Sequence, residues 1–273
     1  MPAEHAEVVV LVKAAPVLTQ NLDETMCVAG VRVDTPAPEW IRLHPVPFRD
    51  LVSDDRFSKY QQVGVDVIRP KADRRPESWM PIVDSIRPGA RMDTGGGWAD
   101  RRTLIAGLPE ALMCDLVEAN RAGSGAGVSS LAVVRPVEPP TLEISERDAE
   151  QLAKWSARAE AAKGRVSLFE DPSEPRPDFE VVPWRFRYGY RCAKAGCNGH
   201  HQTIVDWEIV ALWRRVRYRT NWRELMRQKF EQELWDGRDS VLFVGNQEQR
   251  PISFLVLGVF WPPDAAYQPR LGL

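Results

Sequence analysis

The chain has 273 residues, is 44% hydrophobic and 27% charged, and carries a net charge of −2. These are the values of an ordinary soluble globular protein with a core in one large or two modest domains. Four cysteines over this length exclude a disulfide framework, and apolar runs such as Val8–Val12 and Phe254–Trp261 are too short to cross a bilayer.

The first ninety residues read as short strands. Val8–Lys13, Met26–Val33, Trp40–His44 and Val63–Ile68 are rich in β-branched residues and bounded by turn formers, and Trp79–Val83 is a candidate fifth. Pro45 and Pro47 are expected to end the third, since proline removes ladder donors. Five short strands without intervening helices predict a small barrel, OB-like or SH3-like. The N-terminus, with Glu4 and Glu7, lacks the basic start of a signal peptide, so a cytoplasmic protein is expected, with no membrane partner.

Gly95–Gly97 lacks the Lys-Ser/Thr of a phosphate loop and reads as a turn. Pro109–Asn120 has helical apolar spacing, Ala122–Gly127 a loop composition, and Ser130–Arg135 the look of a buried strand. Val137-Glu-Pro-Pro140 is a stiff connector. Ser145–Asp148 resembles a helix cap, leading to a helix through about Ala162, and Asp171–Asp178 is a Pro- and acid-rich loop. The rest predicts a strand, a cysteine/histidine turn, two helices and a hairpin of Ser240–Gly245 and Ser253–Phe260. The fold class expected is α+β, with a barrel-like domain over 1–90, a helical and loop connection with one strand over 91–140, and a zinc-knuckle domain over 141–273.

The turn carries the chemistry. Cys192, Cys197, His200 and His201 fall within ten residues, and thiolate plus imidazole at this spacing is what tetrahedral Zn²⁺ takes. One zinc ion is the cofactor this implies. Adjacent side chains seldom share an ion well, so the fourth ligand is open among His200 or His201, Asp206, Glu208, Cys114, Cys27, His44 and water. Water there would make the site catalytic, with Glu208 as base; four protein ligands would make it structural. Cys27 and Cys114 also read as core residues. Asp23, Glu24, Asp66 and Glu77 are scattered acids that spacing alone does not assemble.

Around the turn the charge is uneven. Residues 181–230 hold eleven basic and three acidic residues. In Trp184–Arg191 the aromatics Trp184, Phe186, Tyr188 and Tyr190 alternate with Arg185 and Arg187. The first helix after the turn carries Ile209, Val210, Trp213 and Val216 as its apolar stripe, and the second is expected to be capped by a box from Asn221 to Glu224. The leading expectation is a zinc-stabilised DNA- or RNA-binding protein whose Arg185, Arg187, Arg191, Arg214, Arg215, Arg217, Arg219, Arg223, Arg227 and Lys229 contact phosphates. The alternatives are a metal-dependent hydrolase or nuclease acting on nucleic acid or nucleotides, and a module docking an acidic protein partner. The bland reading of the same arginines is a set of solvated or internally paired side chains.

Overall fold

The computed structural model describes residues 2–19, 24–48, 51, 55–123, 127–163 and 178–264. Part of the expected loop at Ala122–Gly127 and nearly all of the one at Asp171–Asp178 lie outside these residues. The fold is mixed α+β, and no helix among the described residues is long and apolar enough to cross a membrane.

Strands β1 (Glu4–Lys13), β3 (Glu24–Arg32), β4 (Glu39–Val46), β5 (Gln61–Ile68) and β6 (Ser78–Pro81) close into a five-stranded barrel. β1 pairs antiparallel with both β3 and β5, and the circuit closes through a parallel β4–β6 pair and an antiparallel β5–β6 pair. The short β2 (Val17–Leu18) pairs with β3, and β7 (Arg87–Arg91) with β5. The third strand runs past Pro45 to Val46. A register shift opposite Met26 and Val28 takes His44 and Pro45 out of the ladder, so the missing donor costs no pairing.

Alternation splits β1 between two cores. Ala6, Val8 and Val10 fill the barrel with Val28, Ile41, Val63 and Val65. Val9 and Leu11 face outward and pack with Ala29 and Val31 against Leu131, Val133, Phe243 and Leu257. Those partners belong to a sheet of β8 (Leu131–Val134), β12 (Val241–Gln247) and β13 (Arg250–Phe260). At Gly95–Gly97 the expected turn opens α1 (Gly95–Ala106): Gly96, Gly97 and Trp98 have φ of 54°, 66° and 68° before the helix proper begins.

A third sheet joins β9 (Thr141–Glu146), β10 (Trp184–Tyr190) and β11 (His200–Thr203). The helices are α2 (Met113–Ala122), α3 (Ala149–Ala162), α4 (Trp207–Val216) and α5 (Trp222–Arg227). The aromatic face of β10 is core: Phe186, Tyr188 and Tyr190 are buried with the Ile209, Val210, Trp213 and Val216 stripe of α4. Asp148, directly before α3, caps it by accepting from Gln151 N. Asn221 makes no side-chain cap to α5. After α5 a π-helical turn, Gln228–Glu233, frees the Phe230 carbonyl, which accepts from Tyr188 Oη at 2.6 Å and Trp235 Nε1 at 3.1 Å.

The barrel is tied to α4 by a buried ion pair. Lys59 Nζ donates to both Asp206 oxygens at 2.9 and 2.8 Å and lies 3.3 Å from Glu208. Their side chains are only 11% and 3% exposed. Burial opposes the ammonium, but Asp206 and Glu208 outweigh it and hold Lys59 above the usual lysine range. Asp206 also accepts from Glu208 N, capping α4. Lys59→Met should leave that carboxylate buried and unpaired, lowering the unfolding free energy in urea by about 3 kcal/mol or more; a loss under about 1 kcal/mol would show that the pair is not a principal tie.

Candidate metal centre and basic groove

The turn after β10 is built by its glycines. Gly196 and Gly199 have φ of 78° and 96°, which a side chain rarely adopts, and Cys197 N closes the turn on Lys194 O. Lys194 Nζ then reaches Asp115 at 2.6 Å and Glu118 at 2.7 Å, clamping the turn to α2.

That clamp sets Cys114 of α2 against the turn. The ligand atoms of Cys114, Cys192, Cys197 and His200 all lie within 4.8 Å of one another, compatible with one metal site. The Cys114–Cys192 sulfurs are 3.6 Å apart, and His200 Nε2 is 3.5 Å from Cys114 Sγ and 3.4 Å from Cys197 Sγ. A tetrahedral shell with Zn–S near 2.3 Å and Zn–N near 2.0 Å has edges of about 3.8 Å between sulfurs and about 3.5 Å from sulfur to nitrogen. Burial and the neighbouring sulfurs push the Cys114 thiol up to about 12, so the set favours three thiolates only around a cation. Burial works against Cys197 as well, yet backbone N–H groups of Gly199 and Cys192 hold its thiol below the ordinary value. Burial, then His201, lowers His200 and favours the neutral imidazole a metal takes.

His201 lies outside this group. Adjacent residues of a strand face opposite ways, and its Nδ1 sits 2.5 Å from Glu143 Oε1 across the sheet. Asp206 and Glu208 are engaged with Lys59. Asp66 contacts His5, and Glu77 accepts from Ser130 N and Oγ. Asp23 lies outside the described residues. Cys27 and His44 stay apart from the cluster. Cys114 was one of several open choices in the sequence; no local spacing distinguishes a residue 78 positions away from Cys192.

The ten basic side chains expected to contact phosphates do not share one environment. Arg187 pairs with Glu143, Arg214 and Arg217 with Glu180, and Lys229 with Glu233. Arg223 lies over the Trp184 and Trp222 rings, whose centroids are 5.0 Å apart with the planes tilted by 52°. Arg191, Arg215, Arg219 and Arg227 are exposed.

Arg185 and Arg214 instead line a groove of about 570 Å³, where Arg147, Arg158 and Arg250 join them. Ala15–Leu18, from the connection between the first two barrel strands, form part of its wall, with Trp155 of α3 and Gln247 of the β12–β13 hairpin. Arg147 donates to Val182 O and lies 4.7 Å over Trp155. Burial, with Arg185 adding like charge, lowers Arg147 to about 10. Arg147, Arg158, Arg185 and Arg250 form no ion pair with any described residue. Three of these four arginines are far from the basic segment, so charge counting along the chain missed them.

Residues 109–272 match the family model of a domain of unknown function, DUF8757, and residues 4–107 match that of a second domain of unknown function, DUF8758. The first match spans more than half of the chain, and the chain belongs to the DUF8757 family. No curated protein matches it.

Metal analysis of the purified chain should find one ion, and X-ray absorption three sulfurs and one nitrogen around it. Cys114→Ser should lower the metal content, whereas His201→Ala should leave it unchanged. A shell of two sulfurs and two nitrogens, emptied by His201→Ala, would place His201 in the shell and Cys114 outside it.

Proposed function

We propose that the chain is a zinc-stabilised nucleic-acid-binding protein whose phosphate-gripping surface is the arginine-lined groove. The observation that carries this reading is the set of Arg147, Arg158, Arg185 and Arg250, four guanidinium groups without a carboxylate partner among the described residues, facing one cavity. Uncompensated like charges destabilise a fold by mutual repulsion, and a phosphate backbone offers planar, bidentate partners for each of them. Trp155 adds an aromatic surface beside the cations.

The barrel supports the same reading. The spatial order β5–β1–β3–β4 is that of a Greek key, which favours the OB-like over the SH3-like alternative. In OB-folds the second and third strands and the loops around them take oligonucleotides. Here the outer face of β3 and β4 is covered, with Trp40 edge-on to Phe243 at 5.7 Å. The connection at Ala15–Leu18 remains open to the groove.

Zinc is the metal this donor set suits, because soft thiolates with one imidazole in tetrahedral arrangement select it. In this reading Cys114 closes the shell, and the ion holds the end of β10, whose other end carries Arg185. The hydrolase alternative needed an open fourth position with Asp206 or Glu208 beside it, and both acids are paired with Lys59.

The double variant Arg147→Gln/Arg185→Gln should weaken binding of a labelled oligonucleotide at low salt. It should also flatten the dependence of log K on log salt by about 1.5, the share of two phosphate contacts. Fluorescence anisotropy over a salt series measures both. Unchanged affinity and slope would remove the groove from the binding surface. Capture of acidic proteins, with no nucleic acid bound, would favour the protein-docking alternative.

A further inference from the structure

A second cavity, of about 390 Å³, is lined by Lys13, Met26, Phe48 and Trp207 and shares Pro16, Glu180 and Arg214 with the groove. Three shared residues make the two cavities neighbours, yet their chemistry differs. The groove presents guanidinium groups. The chamber presents the apolar and aromatic side chains of Met26, Phe48 and Trp207 and the Lys13 amine, with Asp178 and the paired Glu180 and Arg214 at its wall.

That amine is unusual in its setting. Lys13 Nζ donates to Phe57 O at 2.9 Å and lies 3.4 Å over the Phe48 ring. It forms no ion pair with Asp178 or Glu180, which also line the chamber. An ammonium has three N–H donors, so two remain after the Phe57 bond. Burial, then the nearby Lys59, lowers Lys13 to about 8. A ligand that fills this chamber is therefore an apolar, flat group with hydrogen-bond acceptors at its edge, attached to something anionic that continues into the groove. A nucleobase on a sugar–phosphate chain has that form.

We propose that groove and chamber together bind a single-stranded nucleic acid, with phosphates on the groove arginines and one base in the chamber against Lys13. This rests on the nucleic-acid reading of the groove. The chamber is at the small end of ligand cavities, which run from roughly 300 to 1,000 Å³, and suits one heterocycle. A duplex keeps its bases stacked inside and would have to extrude one at a cost of a few kcal/mol. Base contacts also do not need a particular sequence when they rest on ring surfaces.

The test compares three probes on the full chain: a single-stranded oligonucleotide of about 12 nucleotides, its duplex, and an abasic strand of equal length. The intact strand should bind about tenfold tighter than the duplex and about tenfold tighter than the abasic strand. Lys13→Met, which keeps the side-chain bulk, should narrow the gap between intact and abasic strands. Equal binding of duplex and single strand, or of intact and abasic strands, overturns the inference while leaving the groove reading in place. A gap that Lys13→Met does not change overturns the placement of the base. If none of the probes binds at low salt, the groove reading falls and the inference with it.

Discussion

Strand β1 is buried on both faces, and the architecture follows from that constraint. A strand with one wet face can close a barrel and stop. Here Val8 and Val10 fill the barrel, while Val9 and Leu11 between them need a second hydrophobic partner. The β8–β12–β13 sheet supplies it. The consequence is that barrel and C-terminal sheet are one packing problem, and the outer face of β3 near Ala29 and Val31 is not a surface at all.

Polar contacts then fix how the two parts meet. Arg75 reaches the Asn246 carbonyl from the loop before β6, Glu77 binds Ser130, and the buried Arg42 donates to Ser130 O. Gly245 makes room for this approach, since an added Cβ would stand 2.7 Å from Leu257 Cδ1, 2.8 Å from Leu131 Cδ2 and 3.1 Å from Arg42 Nη2, and those side chains would have to shift. The tracts around Trp40–His44 and Phe243–Gln247 are thus explained by one another. Arg75, Glu77 and Arg42 each find a partner across the junction, where an unmet bond would be costly, although Trp40 Nε1 and Arg42 Nη1 make no hydrogen bond. With Lys59 and Asp206 on the far side, the junction has directional bonds at both ends. The groove lies where the connection after β1 meets β10, α3 and the β12–β13 hairpin.

Much of this was legible in the sequence wherever the signal is local. The barrel strands follow from β-branched runs between turn formers, and the stripe of α4 from its apolar spacing. The π-helical turn and the strand character of β11 were not legible. His200–Thr203 is polar and becomes a strand because β10 offers it a ladder. β9 has alternating residues, yet they read as the approach to a helix cap; pairing with β10 decides the matter. Barrel closure through β1–β5 is a contact across the whole N-terminal part. At the metal cluster, the three residues of the turn were visible and Cys114 was one candidate among several, since only the Lys194 clamp to Asp115 and Glu118 shows which helix comes to the turn. The groove was hidden for the same reason: Arg147, Arg158 and Arg250 acquire a common purpose only once α3 and the last hairpin are placed.

The 3.6 Å approach of Cys114 to Cys192 across 78 residues has a consequence for the order of assembly. Cys197 and His200 lie close to Cys192 and meet it through a local turn. Cys114 is made first and must wait for β8, β9, α3 and β10 before its neighbours exist. Closing so long a loop carries an entropic cost that contacts formed late in folding must offset. Docking of α2 on the turn therefore requires the chain through His200. A chain stopped short of the turn would carry Cys114 as an uncommitted thiol.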